Sequence, residues 1–175
     1  MFSRISRMIC VSAALVSGGA ALAQESDNRV AANTDWSVFE EADPRECWAV
    51  SAPKETVNTR DGNVVAVRRG EILLMVFYRP GESVNGQLAF TGGYPFAGGS
   101  TVSVDIGGTQ YQLFTEGEWA WPASPEDDQR IVDAMKRGAD ATLVARSGRG
   151  TVTTDKFSLL GFTAAVEEAG RRCNS

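Results

Sequence analysis

A chain of 175 residues with 22 acidic and 17 basic side chains carries a formal charge of −5, and it contains no histidine. An acidic chain is a poor partner for nucleic acid or an anionic lipid surface. Without histidine it can build neither a Ser-His-Asp nor a Cys-His site, and it lacks one of the usual zinc ligands.

Residues 1–23 read as a secretory signal peptide. Arg4 and Arg7 supply a positive start, Met8 to Leu22 is apolar and small, and Ala21-Leu22-Ala23 is a small-x-small site for cleavage after Ala23. That apolar stretch is too short and too rich in Gly and Ser for a membrane span, and no later segment qualifies. Cys10 lies too early in the leader to act as a lipid-bearing cysteine. Export to the periplasm is therefore expected. Loss of Arg4 and Arg7 leaves 15 basic against 22 acidic residues, a charge of −7 on the mature chain. Residues 24–33 are small and polar and are expected to form a flexible linker, with a single domain over 34–175.

The first strands are predicted at Asp35-Trp36-Ser37-Val38-Phe39 and Cys47-Trp48-Ala49-Val50, with a turn at Asp43-Pro44. Val64 to Arg68 and Ile72 to Tyr78 follow. The second is a continuous apolar run, as suits a central strand covered on both faces. Further strands are read at Gln87–Phe90, Thr101–Ile106, Tyr111–Phe114, Thr142–Ala145 and Thr151–Thr153. Gly107-Gly108 and Gly148-Arg149-Gly150 are hairpin turns. Val102, Val104 and Ile106 alternate with polar residues, so one face of that strand is buried.

Two helices are expected. Ser124 is an N-cap, Pro125 suits the first helical position, and Glu126, Asp127 and Asp128 oppose the N-terminal dipole. Gly138 ends this helix after Lys136 and Arg137. The second runs from about Leu160 to Cys173, with Phe162, Val166, Ala169 and Cys173 on one face and pairs Glu167–Arg171 and Glu168–Arg172 on the other. The pattern as a whole predicts an all-β domain, a β-sandwich with two short helices, one of them C-terminal; a β-barrel is the alternative.

Cys47 and Cys173 remain after export. Two thiols in an oxidising compartment are expected to pair, tying the C-terminal helix to an early strand. No metal site and no cofactor is expected. The carboxylates Glu116 and Glu118, which flank Trp119, are the remaining route to catalysis, as an envelope carbohydrate-active enzyme using the loop Glu116–Trp121. Against this, they also read as ordinary turn residues. Gly92-Gly93 and Gly98-Gly99 read as positive-φ turns, and the pairs Arg68-Arg69, Lys136-Arg137 and Arg171-Arg172 as solvated edges and helix ends. Tyr94, Phe96, Trp119 and Trp121 fall in irregular Gly/Pro-rich segments, where they either plug the end of the sandwich or form a binding surface.

The segment Asp155-Lys156-Phe157-Ser158-Leu159-Leu160-Gly161-Phe162-Thr163-Ala164-Ala165 resembles the ending of the invasion-associated locus B family: a strand, then Ser-Leu-x-Gly-Phe, then a small-residue helix. Trp36-Ser37-Val38-Phe39 with a cysteine soon after, and the strand Ile72-Leu73-Leu74-Met75-Val76, fit as well. The resemblance spans about Trp36 to Cys173. It implies a periplasmic or envelope protein with an immunoglobulin-like sandwich. It carries over no catalytic residue and suggests a binding or interaction module whose partner is another periplasmic protein or a cell-wall polymer.

Overall fold

The structure, a computed structural model, describes residues 28–174; the leader and the cleavage site expected at Ala23 lie outside them. The elements in chain order are β1 (Arg29–Asn33), β2 (Trp36–Ala42), β3 (Arg45–Ser51), β4 (Glu55–Arg60), β5 (Asn63–Val64), β6 (Leu73–Arg79), β7 (Val84–Thr91), β8 (Thr101–Ile106), β9 (Thr109–Glu116), β10 (Trp119–Trp121), α1 (Pro125–Arg137), β11 (Asp140–Arg146), β12 (Val152–Ser158) and α2 (Phe162–Cys173). The fold is all-β with two helices, one C-terminal.

All twelve strands join one antiparallel sheet in the order β1-β2-β3-β6-β7-β10-β9-β8-β11-β12-β4-β5. The sheet folds over on itself. β7 and β12 are five strand spacings apart in this order, roughly 24 Å on a flat sheet at about 4.8 Å per strand. Yet Phe90 of β7 and Phe157 of β12 meet edge to face with ring centroids 6.1 Å apart. The two apolar layers expected of a sandwich are thus supplied by one continuous sheet, with Phe90, Phe157, Leu113 and Leu143 fully buried between them.

Local sequence accounts for most elements. Val102, Val104 and Ile106 face inward along β8, and the Gly107-Gly108 turn joins it to β9. β6 buries Leu74, Met75 and Val76 in succession, as a strand covered on both faces must. In α1, Ser124 Oγ accepts the Asp127 backbone N–H at 3.2 Å, and Ile131, Val132 and Met135 face the core. Gly138 closes this helix for a reason other than left-handed geometry. Its φ is −85°, and a Cβ there would stand 2.8 Å from Ile106 Cγ2 and 2.9 Å from Leu159 Cδ1.

Four expectations need correction. The linker read over 24–33 ends earlier, because Arg29–Asn33 is strand β1 paired with β2. Of the strand read at Val64–Arg68 only Val64 is in β5, and Val64 is 76% exposed. β4, almost wholly exposed and polar, was not expected at all; it offers no buried alternation to read. Arg171 pairs with Glu168 rather than Glu167, while Arg172 binds both Glu168 and Glu40.

α2 packs its face of Phe162, Ala165, Val166, Ala169 and Cys173 on β2 and β3. Cys47 and Ala49, alternate residues of β3, are both fully buried on the side facing this helix. The sulfurs of Cys47 and Cys173 are bonded, with a Cα–Cα separation of 5.8 Å across 126 residues of chain.

Candidate functional site

The segment between β5 and β6 carries Arg68 and Arg69, adjacent in sequence and opposite in fate. Arg68 is exposed. The Arg69 side chain is 6% exposed and makes a two-pronged ion pair with Asp155 of β12, at 2.7 and 2.6 Å, whose own side chain has no exposure. Arg69 Nε also donates to the Gly92 carbonyl at 2.8 Å. This corrects the reading of Arg68-Arg69 as a solvated edge. A planar guanidinium matches a carboxylate at two points, and here it clamps the 65–72 segment onto the sheet.

The same clamp explains Gly92-Gly93. Gly93 has φ +72°, and a Cβ on it would sit 2.6 Å from the Gly70 carbonyl oxygen. Gly70 N–H donates to the Gly93 carbonyl at 2.9 Å. The glycine serves both a positive φ and a close backbone approach.

Tyr94 follows directly. Its hydroxyl shares a hydrogen bond with Thr153 Oγ1 at 2.5 Å, the Arg69 guanidinium lies 5.1 Å from its ring centroid, and Phe96 meets the ring edge-on at 5.2 Å. Burial raises the Tyr94 hydroxyl pKa above its usual value, opposed by the Thr153 hydrogen bond. Beside this ring lies a cleft of about 490 Å³, of the size that holds small ligands. Arg60, Arg68, Arg69, Arg149 and Glu118 line it with Tyr94. Arg60 comes from the end of β4 and donates to Thr151 Oγ1 at 2.7 Å. Arg149 comes from the β11–β12 turn, and Glu118 from the turn before β10.

The four aromatics marked in the sequence therefore part company. Phe96 is buried and packs against Phe90, the plugging role. Tyr94 borders the cleft. Trp119 and Trp121 are not in an irregular loop; they lie on β10, either side of the buried Ala120, so both point outward. Trp121 stands opposite Phe114 of β9, itself 54% exposed. These two border a second, more open groove of about 460 Å³ that also reaches Gln87 and Asp128. Asp128 is buried and accepts the Leu88 N–H at 2.8 Å; burial pushes its pKa up to about 6.

Neither groove holds a facing pair of acids. Glu118 is the one carboxylate lining the first and Asp128 the one lining the second, while Glu116 is exposed on β9. Glycoside hydrolysis needs two carboxyl groups across the scissile bond. Among the described residues no group of three or more His, Cys, Asp or Glu side chains is placed to hold a metal ion. Sequence reasoning missed Arg60, Arg68, Arg69 and Arg149 as site residues. Their only signal is positive charge on an acidic chain, and they gather from segments nearly 90 residues apart.

Trp36 also reaches the turn between β12 and α2. Trp36 Nε1 donates to the Ser158 carbonyl at 2.9 Å, and the Asp35 N–H donates to the Leu160 carbonyl at 3.2 Å. Leu159 is buried and Leu160 is 61% exposed. Gly161 has φ +88°, with a would-be Cβ 1.9 Å from the Asn33 carbonyl oxygen. Phe162 packs on Trp36 edge to face at 4.8 Å. The opening Trp and the Ser-Leu-x-Gly-Phe turn are thus two sides of one seam.

Residues 36–170 match the family described as Invasion associated locus B (IalB) protein. The chain belongs to this family. The IalB match begins at Trp36, takes in the Ser158–Phe162 turn and every cleft residue named above, and stops three residues short of Cys173. The IalB fold is seen also in the solved structures. The chain is similar to the crystal structure of invasion associated protein B from Bartonella henselae, with a TM-score of 0.56 and 13% identity over 83% of this chain and 98% of that one. At that identity the likeness is one of fold. No curated protein matches the chain. Among the described residues no helix is long and apolar enough to cross a membrane.

Proposed function

We propose that this IalB-family chain is exported to the periplasm, loses its leader after Ala23, and works there as a non-catalytic binding module. Its partner is another periplasmic protein or a cell-wall polymer, and the cleft beside Tyr94 is where that partner docks. The observation that carries this reading is the lining of the cleft: four arginines and an aromatic ring around one carboxylate, Glu118. Such a lining can hold a ligand by charge and shape. It offers no second acid to complete the pair of Glu118 for hydrolysis, so the carbohydrate-active alternative has no geometric support. The Ala21-Leu22-Ala23 site and a buried disulfide, which persists in an oxidising compartment, support the location.

The test is photo-crosslinking in the intact envelope from Pro95, which is exposed and lines the cleft. A photo-reactive residue there should capture a discrete envelope component. The same residue at Arg137, in the last turn of α1, should not. Equal capture from both positions, or hydrolysis of a cell-wall glycan that E118Q abolishes, contradicts the reading.

A further inference from the structure

We propose that the cleft is an oxyanion site, which takes a carboxylate or phosphate group of its ligand between Arg68 and Arg149. This rests on the binding reading above and names the chemistry of what is bound.

Four arginines from three separate parts of the chain line one concave surface: Arg60, Arg68, Arg69 and Arg149. The chain as a whole is acidic, at −5, so this is a local reversal of its field. Only Arg69 has a carboxylate partner, Asp155, and that pair is buried behind the cleft as its fixed wall. Arg60 is held by the neutral Thr151 hydroxyl, which leaves its charge uncompensated. Arg68 and Arg149 are exposed and have no hydrogen-bond or ion-pair partner among the described residues. Counting Glu118 and Asp155 against the four arginines leaves a local charge of +2.

Like charges gathered on a concave, partly apolar surface repel one another and focus a positive potential into it. An oxyanion entering the cleft removes the repulsion. It also meets donors whose fork geometry fits carboxylate and phosphate at two points. The buried part of the site is already satisfied: Tyr94 and Thr153 hold each other, and Arg69 is shared between Asp155 and Gly92. Binding therefore needs no rearrangement of the floor, only the ordering of two surface side chains. The cleft is concave and of small-ligand size rather than flat. That favours an acid group on a small molecule or a flexible polymer arm over an extended protein surface.

The experiment titrates the exported, disulfide-bonded protein with citrate in one arm and pyrophosphate in the other, following backbone amide resonances. Saturable shifts confined to Gly93, Gly148, Thr151 and their neighbours are expected with at least one probe, and the tighter probe identifies the acid group. R68Q/R149Q should weaken that binding about tenfold or more, as loss of two charge-assisted contacts implies. Both positions are exposed, so the fold is retained, which the unchanged amide spectrum elsewhere checks. R137Q should leave the affinity as it was, and raising salt should weaken it. No saturable shift with either probe, or equal affinity in R68Q/R149Q, overturns the proposal. If Pro95 still crosslinks an envelope component while neither anion binds, the oxyanion inference falls and the binding reading stands. If crosslinking fails as well, both fall.

Discussion

Asp155 is fully buried and gives both carboxylate oxygens to Arg69. Removing one member of a buried ion pair leaves the other charged, desolvated and unmatched, at a cost of about 3–5 kcal/mol. D155N should therefore lower the denaturant midpoint sharply and loosen the Tyr94 cleft, whereas R68Q, at the exposed neighbour of Arg69, should change stability by less than about 0.5 kcal/mol. Neither fate could be read from the adjacent letters Arg68-Arg69. The distinction is made by Asp155, 86 residues further along, and by a sheet that folds over to bring it there. Asp128 gives a prediction with a sign. Its pKa is raised from 3.8 to about 6 in the folded state, chiefly by burial. The folded protein thus holds a proton that the unfolded chain releases, and stability falls as pH rises from about 4 to about 6. D128N, which keeps an acceptor for the Leu88 N–H, should flatten that part of the stability–pH curve. A wild-type curve that instead rises through this window, unchanged in D128N, would show that Asp128 does not titrate as described.

At the scale of elements, the seam between β2 and α2 is the most demanding local structure. Gly161 must adopt φ +88° and must also let the Asn33 carbonyl approach to where a Cβ would be. G161A should cost at least about 2 kcal/mol, the sum of a left-handed alanine and a displaced strand, measurable as a lowered Tm. L160A, on an exposed side chain in the same turn, should be nearly silent. This is why the Ser-Leu-x-Gly-Phe pattern was legible: each letter answers to a steric or packing demand that a sequence must meet. The strands that read well, β2, β3, β6, β8 and β11, are those that bury alternate or successive apolar residues. Those that misread are the opposite. β4 is polar and exposed, and Val64 is apolar yet exposed. Trp119 and Trp121 look like loop residues because a Gly and a Pro flank them, but pairing of β10 with β7 and β9 overrides that local signal. Helices were the clearest, since the Ser124 cap and the stripe Phe162-Val166-Ala169-Cys173 are purely local features.

Over the whole molecule, the disulfide joins β3 to the last turn of α2 and encloses almost the entire fold. A loop of 126 residues is worth roughly 5 kcal/mol in the chain-entropy account, a large part of a usual total of about 5–15 kcal/mol. The C47S/C173S double variant should fold only marginally, with a Tm well below that of the oxidised protein; an unchanged Tm would mean that α2 docks by its apolar face alone. This pairing followed from the expectation of export and an even cysteine count, and needed no knowledge of the fold. The cleft did not follow, because it exists only where five segments distant in sequence meet. The role proposed for it is binding by arginine and aromatic side chains, without turnover. The most direct measurement incubates the protein with the envelope fraction of its own cell and records, in one sample, the protein retained and the soluble glycan released. Retention that falls in R68Q/R149Q, with no glycan released by any variant, is the predicted result. Soluble fragments released by the wild type and abolished in E118Q would contradict it.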